Sequence, residues 1–399
     1  NSSTDQAKTD TDTTGLVLPA GFHAQIVADT IGHIRHLAVN AQGDLYIKLS
    51  TVDKDGKGIV FLRDTDHDGI YDQRSTFGNY PGTGILVSNN SLFAASNSEV
   101  FRYALNDKGE VVDTTKAQRI VTGLADHKAD NSKSIAVDEQ GNLYVTVGSW
   151  NEGCNPDSSL EGYPGCPLLD SAGGVWQFKA DGKDQTYAQS VHYYKGLKNI
   201  VGLAWNGATH ALFGTNHGRG RLWEKFPQYY TKEQNLDLPA ETLYELKPKG
   251  DGGWPFVYYD QIQKKQMLSP EYGGDGKKTV EGKYDDPVIS FPGHLAPNDL
   301  MFYTGSQFPE KYRNGAFIVF HARSIPQKKG YLVAFVPFKD GKPAGAWELF
   351  ADNFAGIDLE TSKDPIKHRP MGIAQGPDGS LYVADDIKGT VYRISYSGE

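Results

Sequence analysis

Apolar and polar positions alternate in short runs along this chain, and one arrangement of them recurs six times. Residues 37–47 show it most plainly: Leu37-Ala38-Val39, a polar turn Asn40-Ala41-Gln42-Gly43-Asp44, then Leu45-Tyr46-Ile47. Residues 135–145 and 373–383 repeat it, with Gly141 and Gly379 in the turns. Period-two alternation broken by a tight glycine-containing turn predicts two antiparallel strands joined as a hairpin. Weaker copies lie at residues 85–93, 203–213 and 300–319. Hairpins returning at intervals of roughly 45 to 100 residues, insertions included, predict blades stacked around an axis. The expected fold class is therefore all-β, a six-bladed β-propeller with long loop insertions at the channel mouth. Chemistry in such a fold sits in the loops around that mouth.

The two ends of the pattern match. His23-Ala24-Gln25-Ile26-Val27 alternates as a strand, and so does Thr390-Val391-Tyr392-Arg393-Ile394. Both are expected to lie in one blade and to close the ring. Helical periodicity is scarce; residues 239–243 and 309–313 are the short candidates. Residues 1–15, rich in Ser, Thr, Asp, Lys and Gln, bury too little to order themselves and read as a disordered tail. Residues 16–399 then form the propeller. The tail, starting at Asn1 without Met, reads as a tether left after removal of an export signal. Three insertions, at 148–174, 217–259 and 265–298, are rich in Gly, Pro and aromatics, as packed functional loops are.

Composition narrows the partners. A net charge of -9 with no basic patch excludes a nucleic-acid surface, and no apolar run reaches membrane-spanning length. The 2 cysteines, Cys154 and Cys166, share one Gly/Pro loop and either close it as a disulfide or remain thiols. A disulfide would agree with an exported protein, periplasmic or extracellular.

Four constellations could carry chemistry. In Asp64-Thr65-Asp66-His67-Asp68-Gly69-Ile70-Tyr71-Asp72, alternate carboxylates before a glycine can converge on a calcium ion, although Ser75 stands where a twelfth-position carboxylate is usual. The bland reading is an acidic solvated turn. Asp126-His127 precede the third hairpin, with Lys133 nearby; a histidine there can face the channel as a general base or be a surface residue. Polar groups recur just before the first strands: Arg35-His36, Lys198-Asn199, His294 to Asn298, and His368-Arg369. Blade symmetry would gather them into a basic ring suited to an anionic ligand, unless such loops merely tolerate polar residues. Finally, Gly218 and Gly220 flank Arg219, which permits close backbone approach to a ligand or an ordinary turn.

Taken together, these segments resemble the soluble pyrroloquinoline-quinone-dependent sugar dehydrogenases, the glucose/sorbosone dehydrogenase family. The resemblance is carried by Gly196-Leu197-Lys198-Asn199, Gly253-Trp254-Pro255, Ala296-Pro297-Asn298-Asp299 with Leu300 to Tyr303, and Arg369-Pro370-Met371-Gly372. It implies a calcium- and pyrroloquinoline-quinone-dependent oxidoreductase acting on an aldose or related hydroxy-aldehyde. By resemblance, His127 with Asp126 is the base that takes the proton as hydride passes to the quinone. Lys198, Asn199, Arg369, Arg323, Arg35, His294 and Asn298 would hold the cofactor, and the carbonyls of Gly218 and Arg219 its calcium. Asp64, Asp66, Asp68 and Asp72 offer a second calcium site. Departures exist: Lys198 stands where the family usually has Arg, which keeps charge but loses bidentate geometry, and Met371 replaces an Arg found in some members. No Cys-x-x-Cys-His haem motif occurs, so electrons would leave to a separate acceptor. Two other readings stay open, a calcium-dependent lactonase and a non-catalytic carbohydrate-binding propeller.

Overall fold

The computed structural model describes residues 13–399, in which six sheets radiate from one axis. The innermost strands are Ile34–Val39, Ile85–Ser88, Ile135–Val137, Asn199–Asn206, Pro297–Phe302 and Pro370–Gln375. Each packs on the next, and the last packs on the first. From each, antiparallel neighbours run outward as a blade, the third blade adding a short parallel strand, Gly250–Asp251, at its outer edge. This is the six-bladed β-propeller that the repeats predict.

Local chemistry explains the hairpins. In the first, Leu37 faces Ile47 and Val39 faces Leu45. The Asn40 side-chain oxygen accepts from the backbone N–H groups of Gln42 and Asp44 at 3.0 and 2.9 Å. Asp138 does the same for Gln140 and Asn142 in the third, each at 2.9 Å. Such Asx turns bend the chain with a side chain standing in for backbone. Gly43, at φ 88°, takes the left-handed step that a side chain resists.

Both ends of the chain share the sixth blade, as expected. Phe22–Ala28 pairs antiparallel with Val391–Tyr396, Phe22 opposite Tyr396 and Ala24 opposite Ile394. Phe22 is buried, with its ring near-perpendicular to Phe308 at 4.7 Å and to Phe350 at 5.0 Å. Emptying such a site costs about 3–5 kcal/mol, so one aromatic fixes much of this closure. Leu16 and Leu18 are buried in the same cluster. The predicted tail falls mostly on residues 1–12, outside the described residues.

Two helix expectations need correction. Residues 239–243 run into the strand Glu241–Leu246; the helix lies earlier, at Lys232–Asp237. There Thr231 and Gln234 form a reciprocal capping box, the stronger start signal. Residues 309–313 hold only a single turn, Glu310–Tyr312. Among the described residues no helix is long and apolar enough to cross a membrane.

One core residue is out of character for a strand interior. Lys48 is fully buried, donates to the carbonyls of Tyr80 at 2.7 Å and Gly58 at 3.2 Å, and lies 4.5 Å from the Tyr80 ring centroid. Burial pulls its ammonium down from 10.5 to about 7. A base with a depressed folded pKa binds fewer protons folded than unfolded, so its penalty is full below the folded value and fades above it. Denaturant titrations should therefore show stability rising between pH 7 and 10.5 through this group. Lys48→Met should lose that component; an unchanged pH profile would refute it.

Candidate active site at the axis

The innermost strands share a defect. Their register slips between Ile34 and Leu37, Ile200 and Gly202, Pro297 and Asp299, and Pro370 and Gly372. A bulge leaves a residue unpaired and re-aims its side chain. The residues at or inside these slips include Arg35, His36, Asn298 and Met371. So Arg35 and His36 in one blade and Asn298 in another are presented near the axis by backbone irregularity, while Val201 and Met371 take the same place in two others.

Arg35 lies in a cavity of about 580 Å³ also lined by Thr83, Asp126, His127, Asn131 and Ser132. Its Nε donates to the Thr83 hydroxyl at 3.0 Å and its Nη2 to the Ser132 hydroxyl at 2.6 Å. Among the described residues it forms no ion pair. Burial pulls its guanidinium down to about 10, with Asp386 and Asp299 opposing and Arg369 assisting. It remains a cation at neutral pH, hydrogen-bonded to hydroxyls, with Asp386 and Asp299 acting on it from beyond ion-pair distance.

His127 is exposed on the wall of this cavity, its ring stacked on Trp150 with centroids 3.3 Å apart and planes at 23°. Its backbone N–H donates to Asn131 Oδ1 at 3.0 Å, and Asn131 Nδ2 donates to Asp126 Oδ1 at 2.6 Å. Asp126 therefore acts on the loop rather than on the imidazole.

The other cations of the predicted ring are paired. Lys198 forms an ion pair with Asp130 and lies 3.8 Å from Glu152; Asn199 Nδ2 donates to Asp130 at 3.1 Å. Arg369 grips Asp386 through Nε and Nη2 at 2.8 and 3.1 Å, and His321 reaches the same carboxylate at 2.6 Å. Burial acts the other way, but His321 and Arg369 hold Asp386 below the usual carboxylate range. The purely basic cup expected from sequence is thus corrected: cations and carboxylates alternate around the axis, and Arg35 alone of Arg35, Lys198 and Arg369 lacks a carboxylate partner. His217 is pulled down to about 4 by burial, with Asp130 opposing, and donates to the Pro297 carbonyl at 3.1 Å. His36 donates to the Asn298 carbonyl at 2.6 Å. The side-chain oxygens of Asn199 and Asn298 are buried without a hydrogen-bond partner.

The insertions are tied together beside the axis. Arg219 and Glu271 form an ion pair with side chains 1% and 0% exposed, close to complete removal from water. Gly218 N–H donates to Glu241 at 2.9 Å, and Gly220 N–H to Glu152 at 2.6 Å. Trp254 Nε1 donates to the Glu152 carbonyl at 2.8 Å and packs on the Cys154–Cys166 disulfide. The cysteines therefore join, and the loop 148–174 is stapled where it carries Glu152 toward Lys198.

Other predicted residues lie apart. His294 is exposed and points at the Asn235 carbonyl, 2.6 Å away. Arg323 donates to the Leu359 carbonyl at 3.3 Å in a separate cavity of about 330 Å³ with Ser324, Lys328 and Glu360. Asp64, Asp66 and Asp72 bring oxygens within 4.8 Å of one another, while Asp68 turns back to accept from the Ile70 N–H at 2.8 Å. Asp130, Glu152, Asp386 and Trp150 were not singled out from sequence. Asp130 stands three residues after His127, the nearest thing to a signal.

With the geometry described, likeness to known proteins can be read. The chain belongs to the family described as Domain of unknown function (DUF7133), whose profile matches residues 8–393. An uncharacterized protein of Borreliella burgdorferi is 24% identical, over 96% of this chain and 92% of its own length. The iodide structure of a Trichoderma reesei family AA12 carbohydrate-active enzyme superposes with TM-score 0.76 at 18% identity, covering 96% of this chain and 98% of that one. The holo pyranose dehydrogenase PQQ domain from Coprinopsis cinerea gives 0.74 at 16%, covering 98% of each chain. At these identities the likeness establishes the shared fold.

Glu271→Ala would leave Arg219 charged and buried without its partner, a loss of about 3–5 kcal/mol. Adding Arg219→Leu should recover part of it in denaturant unfolding; a single variant as stable as wild type would show the pair to be dispensable.

Proposed function

We propose that this propeller is a calcium-dependent quinoprotein oxidoreductase that oxidises an aldose or related hydroxy-aldehyde in the axial cavity. Folds similar to this one include a pyranose dehydrogenase PQQ domain and a soluble aldose sugar dehydrogenase from Escherichia coli.

The residues fit a planar tricarboxylate. Arg35 offers a charge held by hydroxyls, Lys198 and Arg369 offer further donors shared with Asp130 and Asp386, and Asn199 and Asn298 keep buried polar atoms without partners. Gly218 and Arg219, whose loop is pinned by Glu241 and Glu271, would present carbonyls to calcium. Bound there, pyrroloquinoline quinone would supply a two-electron acceptor and the metal a Lewis acid. His127 accepts the proton of the sugar's anomeric hydroxyl at a ring nitrogen, the task for which an imidazole suits neutral pH. Asp126 keeps the His127 loop in place through Asn131. Electrons then leave to a separate acceptor. The disulfide fits export to a periplasmic or extracellular compartment.

A second reading has its own observation. Unpartnered oxygens on Asn199 and Asn298, with Asp130 nearby, are the hard donors that a lactonase metal requires. Calcium and pyrroloquinoline quinone added to metal-free protein should switch on sugar-dependent dye reduction, and His127→Ala should lower kcat by at least ~100-fold. Absence of both cofactor binding and dye reduction across a broad sugar panel would remove the redox reading. Lactone hydrolysis with calcium alone would install the second.

We also assign the 64–72 loop to a calcium ion. Oxygens of Asp64, Asp66 and Asp72 lie within 4.8 Å of one another, close enough to converge on one cation that would offset their mutual repulsion. Calcium at about 100 times its Kd should stabilise quinone-free protein by about 2.7 kcal/mol per site. Asp66→Asn should remove one such increment in a thermal melt; an undiminished shift would assign the stabilisation elsewhere.

A further inference from the structure

We infer that Trp150 is a positioning residue for His127, and that Asn131, held by Lys133, closes the other side of the same clamp. The kinetic part of this inference rests on the oxidoreductase reading; the geometric part does not.

An exposed histidine ordinarily samples several rotamers, and most of them would turn its ring away from a bound sugar. Here the ring lies flat on the indole of Trp150, 3.3 Å between centroids. Neither ring nitrogen has a hydrogen-bond or ion-pair partner among the described residues. The stack therefore fixes the plane of the imidazole and leaves its edge, where proton transfer occurs, open to the cavity. A carboxylate behind the ring would fix it too, but would occupy one nitrogen; the indole occupies neither.

The backbone below is held as firmly. Lys133, 1% exposed, donates from Nζ to both the carbonyl and the side-chain oxygen of Asn131, each at 3.0 Å. That side-chain oxygen also receives the His127 N–H at 3.0 Å. The loop then folds over Gly148: a Cβ there would meet the Asp130 carbonyl oxygen at 2.4 Å and Asn199 Oδ1 at 2.6 Å. Two residues on, the same segment supplies Trp150, after Ser149 donates its N–H to the Lys198 carbonyl at 2.7 Å. One short stretch thus sets the distance between His127 and the wall bearing Lys198 and Asn199. Misplacing a reacting group by about 1 Å can cost about 100-fold in rate, so a clamp of this kind has kinetic weight.

The test uses full-length protein with selectively 13C-labelled histidine, without cofactor, and the same variants in dye-reduction assays. The His127 ring protons should resonate upfield in wild type through the indole ring current. Trp150→Leu should return them to ordinary positions and, in the loaded protein, lower kcat roughly 10- to 100-fold while the sugar KM moves less than about threefold. Trp150→Phe should restore most of both. Should Trp150→Leu fail to fold, Asn131→Ala carries the same expectation through the other side of the clamp. An unshifted His127 signal in wild type would overturn the stack, and a kcat unmoved by Trp150→Leu would overturn the positioning role. An upfield signal in a protein that reduces no dye with any sugar would uphold the clamp and sink the redox reading alone.

Discussion

The antiparallel pairing of Phe22–Ala28 with Val391–Tyr396 is the constraint from which the rest follows. An open row of six sheets has two bare end faces and no axis. Joining the strand that leads into the first blade to the last blade brings those faces together and forces the six innermost strands to converge. Residues far apart along the chain then become neighbours: His36 meets Asn298, and Asp299 accepts the N–H of Ile373 at 2.9 Å. The aromatic packing around Phe22 lies in blades five and six, far along the chain from Arg35. Yet that closure is what brings Asp386 and Arg369 within electrostatic reach of Arg35.

Closure brings like charges together, and the structure answers with carboxylates. Lys198 and Arg369, drawn toward one axis, would repel each other and Arg35 if left bare. Asp130, Glu152 and Asp386 offset two of the three. Each paired cation keeps donors available while its desolvation cost is reduced. Arg35 is the exception, held by Thr83 and Ser132 hydroxyls that orient it without neutralising it. An anion arriving at the axis therefore meets one committed charge and two that are shared. That arrangement favours a ligand with its own spread of negative groups over a single small anion.

The parts of this fold legible in the sequence are those governed by neighbours along the chain. Asx turns at Asn40 and Asp138, glycine at φ > 0 and period-two alternation are local, so the blades and the closing strands could be read directly. The positions of Arg35, Lys198 and Asn298 followed because their places relative to each blade repeat. What each side chain touches did not follow, since it depends on register between segments. His294 turns to Asn235, Arg323 to Leu359, and Asp68 to the Ile70 N–H. The helix at Lys232–Asp237 lies upstream of the 239–243 candidate, and its start is marked locally by the Thr231–Gln234 capping box. Trp150 carried no signal at all: its role exists only through a stack with a residue on another loop.

The measurement that tests the account most directly is crystallographic density after soaking with pyrroloquinoline quinone and calcium. The account predicts a planar tricyclic ligand in the axial cup, its carboxylates on Arg35 and Lys198, with the His127 edge facing the open side. An axial cup holding only water at saturating cofactor, with the ligand absent or lodged elsewhere on the surface, would contradict it.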